Sequence, residues 1–347
     1  MSFAPGPVRA AHRFDEAALE RYLRSHVRGF EGPLGVQQFG GGQSNPTFLL
    51  TAGARRYVLR KKPPGQLLKS AHQVDREYRI MKALAATDVP VPRMHVLCED
   101  ESVIGTAFYV MDFLEGRIFR DPQLPGLAPA ERAAIYDSMN DVLARLHKVD
   151  FSKVALSDFG KPGNYFERQI ARWITQYRAA QTDQIAHMER LIEWMQLNIP
   201  KDESVSIAHG DYRLENTIFD PTEPRMIAVL DWELSTIGHP LADLAYNCMG
   251  YHVMNPRQGG LVGIDNAATG IPSERDYVAK YCARTGRARI ENWSFYLSFS
   301  LFRLASISQG VYKRRLDGNA SSETAAQFGN SCQFLAEQSW RLANTRL

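Results

Sequence analysis

Strand-like and helix-like patterns are divided unevenly along this chain. Strand signals crowd the first third, and helical periodicity governs most of the chain beyond residue 130. A chain patterned in this order must build two unlike lobes, one from an antiparallel sheet and one from helices, which predicts an α+β fold. The segments GVQQF, TFLLTA and RRYVLRKK carry period-2 or β-branched and aromatic runs with glycine-containing turns between them, as in an antiparallel meander. One helix interrupts them over about Gln73 to Thr87, where Val74, Tyr78, Met81 and Leu84 recur at helical spacing and Val-Pro-Val-Pro from Val89 stops it. The run TAFYVMDFL from Thr106 reads as a buried strand. Glu115-Gly116 and prolines at 122, 125 and 129 then mark a lobe boundary. Beyond it, Ile135, Met139, Val142, Leu143 and Leu146 share one helical face, and residues Tyr165 to about Leu197 form another long helical pattern. Two short strand candidates, Val205 to Ala208 and Met226 to Leu230, sit inside the helical part. The expected divisions are an N-terminal extension with a first helix over 1–29, a sheet lobe over 30–114 and a mainly helical lobe over 115–347.

Composition narrows the function classes. With 41 Lys and Arg against 38 Asp and Glu among 347 residues, the charge is near balance, so neither a nucleic-acid nor a membrane partner is indicated. The 44% hydrophobic and 23% charged content excludes extensive disorder. Cys98, Cys248, Cys282 and Cys332 are far apart and form no CxxC pair, so reduced buried thiols are expected. The apolar stretch from Phe295 is interrupted by Arg303 and several serines, too soon for a membrane span. Residues 1–13 lack the apolar core of a secretory signal, and the expected location is cytoplasmic.

The chemistry gathers at the ends of the two short strands. His209-Gly210-Asp211-Tyr212-Arg213-Leu214-Glu215-Asn216 places an Asp and an Asn five residues apart, and Asp231 of Asp231-Trp232-Glu233 follows the next strand. The same separation occurs in the kinase loop H-R-D-L-x-x-x-N, in which the Asp receives a hydroxyl proton and the Asn holds Mg²⁺. Any one of these residues could be a turn or capping group. Their type, order and strand context together point to phosphoryl transfer. With Gly210 in place of Arg and D-W-E in place of D-F-G, the segment resembles the aminoglycoside phosphotransferase and choline kinase family of small-molecule kinases. That resemblance implies a bilobal protein-kinase-like fold, ATP and Mg²⁺ as cofactors, and a small-molecule hydroxyl as acceptor. Asn216 and Asp231 then fit the metal, Asp211 orients the acceptor, and Arg213 stabilises charge on the transferring phosphate. Glu233 either assists the magnesium shell or is a solvated loop carboxylate. In Gly238-His239-Pro240-Leu241-Ala242-Asp243-Leu244, Asp243 either braces the catalytic loop, with His209 alongside it, or caps the helix starting near Leu241.

In the sheet lobe, Phe39-Gly40-Gly41-Gly42-Gln43-Ser44-Asn45 lies between two strands, where missing Cβ atoms let backbone N–H groups approach phosphate oxygens. Gly40, Gly41, Gly42, Ser44 and Asn45 are the candidates there. Tyr57-Val58-Leu59-Arg60 follows the pattern V-A-I-K of the phosphate-gripping strand, with Arg60 where Lys is expected and Glu77 as the helix partner. Strand alternation puts the neighbouring Lys61 on the other face. Adenine is expected against the backbone near Met111 and Phe113.

For the acceptor, residues 241–347 hold 12 basic and 8 acidic side chains, an excess that points away from a polycationic antibiotic. FGGGQSNPTFLL, YVLRKKPPG, REYRIMKAL, HGDYRLEN and LDWELSTIGHPLADLAY together resemble the kinase-like region joined to acyl-CoA dehydrogenase modules in larger proteins. This implies phosphorylation of a hydroxyl on an acyl-CoA or hydroxy acid, with Lys313-Arg314-Arg315 assisting an anionic carrier. A nucleotide-binding regulator without catalysis and an aminoglycoside kinase are the alternatives.

Overall fold

The computed structural model describes residues 4–40, 45–63, 73–254, 259–317 and 328–345. They divide into two compact units. The first comprises 1–117, 154–156 and 217–235, and the second 118–153, 157–216 and 236–347. The expected boundary near 115 assigns 217–235 to the helical lobe. By packing, this segment counts with the sheet, because Phe219 and Arg117 exchange backbone hydrogen bonds of 2.8 and 2.9 Å and the Val229 N–H donates to Pro90.

The first unit is a five-stranded antiparallel sheet in the order β1-β2-β3-β5-β4, with β1 (Leu34–Gln38), β2 (Thr47–Ala52), β3 (Arg55–Lys61), β4 (Met94–Cys98) and β5 (Phe108–Asp112). The meander expected from the sequence holds through β3. After that, β5 inserts beside β3 and pushes β4 to the edge. Alternation along the strands separates two faces. On one, Phe48, Leu50, Tyr57, Leu59, Phe108 and Val110 pack with Leu19, Leu23, Val27 and Phe30, contributed by α1 (Glu16–His26) and the residues after it. Each such buried apolar side chain stabilises the unit by about 1.5–3 kcal/mol. The other face meets α2 (Val74–Leu84), which buries Val74, Glu77, Ile80, Met81 and Leu84. Lys61 lies on the α1 side, 6.0 Å over the Phe14 ring, and Arg60 on the α2 side. A hairpin of β7 (Thr217–Phe219) and β8 (Met226–Val229), numbered in chain order, completes the unit.

The second unit is helical: α3 (Pro129–Lys148), α4 (Tyr165–Ala180), α5 (Ala186–Leu197), α6 (Pro240–Cys248), α7 (Asn266–Thr269), α8 (Glu274–Thr285), α9 (Trp293–Leu316) and α10 (Phe328–Ala343). The long helical pattern expected over 165–197 is two helices. Gln181 leaves helical conformation at φ −63°, ψ 127°, and its side chain turns to the Asp183 carbonyl. Helix α9 is the buried spine of the unit; Phe166 packs edge-on against Phe295 and Phe299 at 5.4 and 5.0 Å. Among the described residues no helix is long and apolar enough to cross a membrane. All four cysteines are free and buried.

A two-stranded ribbon of β6 (Ser206–Ala208) and β9 (Thr236–Gly238) carries the chain to α6. His239 caps that helix, its Nδ1 accepting from the Leu241 N–H at 3.2 Å, with Pro240 in the first turn. Burial pushes the His239 imidazole down to about 4, against the opposing pull of Asp202. The unfolded imidazole takes up its proton near pH 6.5, so stability is complete above that pH and is lost as pH falls toward 4, by up to about 3 kcal/mol. His239→Asn keeps an accepting cap and does not titrate. Denaturant midpoints followed from pH 7 to 4 should therefore fall less steeply in the variant, and parallel slopes would refute the assignment.

Candidate active site

In the first unit, the α2 face of β3 and β5 collects a buried polar cluster. Glu77 is 0% exposed and fully engaged. Its Oε1 accepts from Asn45 Nδ2 at 2.7 Å, and its Oε2 accepts from the Tyr109 hydroxyl at 3.0 Å and pairs with Arg60 Nη1 at 2.9 Å. Both Arg60 Nη1 and Nη2 donate to Asp231 Oδ1 at 3.1 Å. Burial pushes the Glu77 carboxyl up and the Arg60 charge pulls it back, with Asp231 adding to the rise and the Tyr109 and Asn45 bonds opposing it. Opposing the burial that would lower it, the carboxylates raise the Arg60 guanidinium well above its ordinary value. Asp231 follows β8 at φ +64°, a left-handed conformation that Asp tolerates better than most residues. Glu233 lies in the 3-10 turn behind it and adds its charge to the field at Arg60.

Tyr109 belongs to this cluster although sequence reading does not single it out. The signal available was alternation, which places 109 on the same sheet face as the register partner Arg60. Gly40 is exposed, and its carbonyl accepts from Arg9 at 3.2 Å. Gly41, Gly42 and Ser44 lie outside the described residues. Met111 pairs in register with Val58 and Met94. The Phe113 ring lies under the Arg56 guanidinium at 4.4 Å. The N–H groups of Asp112 and Phe113 are already bonded, to the carbonyls of Arg93 and Arg56.

In the second unit the loop after β6 is held from behind by α6. The Asp243 carboxylate accepts the backbone N–H of His209 at 2.5 Å and of Gly210 at 2.8 Å, and lies 3.4 Å from His147 Nε2. His147 Nδ1 is in turn 2.7 Å from the Tyr281 hydroxyl. Burial would raise Asp243, but the bonds and charge from His147, helped by His209 and the Gly210 amide, hold it below the usual carboxylate range. The cap of α6 is His239, so the carboxylate is left to the loop. Gly210 sits at φ +85°, a conformation open to glycine and strained for other residues. This turn lets two successive amides reach one carboxylate.

Asp211 follows, its N–H donated to His209 Nδ1 at 3.1 Å. Asn216 Nδ2 reaches back to the Asp211 backbone carbonyl at 2.9 Å and to its Oδ2 at 2.8 Å. Arg213 Nε is 3.3 Å from Asp211 Oδ1, and Arg213 Nη2 is 2.5 Å from Glu215. On α6, Asn247 Nδ2 donates to the Tyr212 carbonyl at 3.3 Å, and burial first and the Asp211 charge second raise the hydroxyl of the neighbouring Tyr246 above its ordinary value. No sequence motif flags it beyond its place seven residues after His239. Lys313, Arg314 and Arg315 form the last turn of α9, where Lys313 pairs with Asp317.

Each unit keeps an oxygen of the kind a hard divalent cation takes: in the second, Asn216, its amide nitrogen committed to Asp211, retains Oδ1 as an acceptor, and in the first, Asp231 retains Oδ2 beside the oxygen given to Arg60. Mg²⁺ takes one or two protein oxygens and completes its shell with phosphates and water. Among the described residues no three His, Cys, Asp or Glu side chains form a dedicated cage.

The second unit thus holds a carboxylate and an amide together on one pinned loop, and the first holds a buried Arg–Glu pair on its sheet. The model of the phosphotransferase enzyme family matches residues 35–281. The chain belongs to that family. It is 52% identical to a crystal structure from Ralstonia eutropha JMP134, provisionally described as an aminoglycoside phosphotransferase, with 95% of this chain and 98% of that one covered and a TM-score of 0.89. It is 49% identical over 340 residues to the mouse (Mus musculus) protein acyl-CoA dehydrogenase family member 10, covering 97% of this chain but only 32% of that protein. The chain thus spans about a third of this curated relative's length. A thermostable mutant of aminoglycoside phosphotransferase APH(4)-Ia, in a ternary complex with AMP-PNP and hygromycin B, is 18% identical with a TM-score of 0.60 over 92% of this chain and 98% of that one. At that identity the likeness concerns the kinase-like α+β fold alone.

Proposed function

We propose that the chain is an ATP-dependent small-molecule kinase whose acceptor is a hydroxyl of an acyl-CoA or a related hydroxy acid. The observation that carries this reading is the Asp211–Asn216 loop, fixed by two backbone amides on the buried Asp243. A loop with no chemistry to perform has no need of a carboxylate held at hydrogen-bond distance from an amide side chain while its own backbone is pinned from behind. ATP as donor is supported by the AMP-PNP held by the fold relative. An acyl-linked acceptor is supported by the name of the longer relative and by the basic excess of residues 241–347.

In the transfer, the acceptor oxygen bonds to the γ-phosphorus as the bond to the β–γ bridging oxygen breaks, and ADP leaves with that electron pair. Asp211 orients the hydroxyl and receives its proton. Asn216 holds that carboxylate in place, and Arg213 offers positive charge to the transferring group. Arg60, aligned by Glu77, is assigned to the nucleotide phosphates, with the Gly40, Gly41, Gly42, Ser44 and Asn45 segment and the Met111–Phe113 backbone as further nucleotide contacts. Mg²⁺, held through Asn216 and Asp231 oxygens, would neutralise phosphate charge. The test is ADP release from MgATP by the full chain across hydroxyacyl-CoAs, hydroxy acids, choline-like alcohols and aminoglycosides. Release driven by hydroxyacyl-CoAs or hydroxy acids is expected. Release driven only by aminoglycosides would replace the acceptor, and nucleotide binding without release for any acceptor would favour a regulator.

A further inference from the structure

Arg303 lies within α9, the buried spine of the second unit, where sequence reading gives it no role beyond interrupting an apolar run. Its guanidinium carbon is 5.6 Å from the centroid of the Trp173 ring on α4 and 5.4 Å from that of Tyr246 on α6. Its Nε is buried without a hydrogen-bond partner, and among the described residues no carboxylate pairs with it. Other buried or half-buried arginines of the same unit are answered: Arg284 by Asp137 and Asn140, and Arg287 by Asp202. Aromatic faces favour a cation but accept none of its hydrogen bonds, so the buried Nε donor stays unmet.

Tyr246 links this guanidinium to the reaction. Its ring lies against Arg303, and its neighbour on α6, Asn247, donates to the backbone carbonyl of Tyr212, the residue after Asp211, the carboxylate assigned to the acceptor hydroxyl. The part of this unit beside the Asp211 loop therefore offers apolar walls from Trp173 and Tyr246 and a cation whose buried Nε donor is unmet. A polycationic acceptor would be repelled there. A planar pair of oxygens matches the guanidinium fork, and an alkyl chain matches the walls.

We propose that Arg303 is the specificity residue for the acceptor: it binds the oxygen of an acyl group, as free carboxylate or as thioester, carried by the molecule whose hydroxyl Asp211 orients. This rests on the kinase reading above and extends it from the hydroxyl to the group beside it. The test compares wild type with Arg303→Met in ADP release from MgATP, using hydroxyacyl-CoAs, the matching free hydroxy acids and the matching diols. For the acyl-bearing acceptors KM should rise about 10- to 100-fold, the usual worth of a charge-assisted hydrogen bond, with a far smaller change in kcat. The diols and nucleotide titrations should not change. Loss on both acids and thioesters marks the shared oxygen, and loss on thioesters alone marks the CoA ester; either supports the proposal. An unmoved KM, an equal shift for the diols, or weakened nucleotide binding overturns it. If none of the acceptors makes wild type release ADP, the kinase reading has failed separately. Calorimetric titration of the same hydroxyacyl-CoAs then decides: binding weakened about tenfold by Arg303→Met supports the contact, and binding that is equal or absent overturns it. Should Arg303→Met not fold, Arg303→Lys, which keeps charge but loses the fork, must show a raised KM confined to the acyl-bearing acceptors, and wild-type values there would sink the idea.

Discussion

Asp211→Asn is expected to reduce turnover about 10²- to 10⁴-fold, the range for a lost general base, while nucleotide affinity stays near the wild-type value. The substitution removes the site that takes the proton and preserves the shape. An amide at 211 can still present its oxygen to Asn216 Nδ2, which lies 2.8 Å from the present Oδ2, and the backbone bond from Asn216 to the 211 carbonyl at 2.9 Å does not depend on the side chain. The loop should therefore keep its conformation. Loss of charge beside Arg213, 3.3 Å away, removes an attraction at a partly exposed site and has a modest effect on folding. Single-turnover rates and titration with a fluorescent ATP analogue separate the two quantities. A turnover within a few-fold of wild type would remove Asp211 from the reaction.

Asp243→Ala should be the most damaging single change to folding in the second unit, by about 3–5 kcal/mol. At 1% exposure the carboxylate satisfies two backbone N–H groups and faces His147, so its removal strands all three away from water. Asp243→Asn is a gentler test. One end of the amide can accept, but the other meets a backbone N–H with a second donor. Loss of stability should be smaller, and turnover should fall because Gly210 and Asp211 are no longer held. Denaturant unfolding and ADP-release assays of both variants provide the check. A stable Asp243→Ala protein with ordinary turnover would mean that the loop holds itself.

The parts of this molecule legible in the sequence are those where residue type and spacing act locally. Asp211, Asn216 and Asp231 stand out because their order and strand context are rare in combination. Arg60 and Glu77 follow from a strand pattern and a helix register, and the structure joins them at 2.9 Å. Strand alternation suffices to put Lys61 on the opposite face. Short strands are less visible. Three-residue elements such as Thr217–Phe219 and Thr236–Gly238 are too brief for a period to develop, and the edge strand Met94–Cys98 follows a Val-Pro-Val-Pro segment that reads as a simple stop. The break between α4 and α5 contains neither Gly nor Pro, so local signals continue through it. Tyr109, Tyr246 and Arg303 gain their meaning from partners 32, 57 and 130 positions away in the chain, Glu77, Arg303 and Trp173, and only folding reveals such pairings.

The assignment of residues 217–235 to the sheet unit bears on how the chain is made. A ribosome releases the five strands and α2 long before it reaches the β7–β8 hairpin, so the first unit cannot finish during synthesis until residue 235 has emerged, with about 100 residues of the other unit already threaded between its parts. Until then Arg60 has Glu77 but lacks Asp231. A fragment cut at residue 117 is consequently an unfinished domain. An autonomous version would need the hairpin grafted back through a linker, with the Arg117–Phe219 backbone pairing as the natural joint.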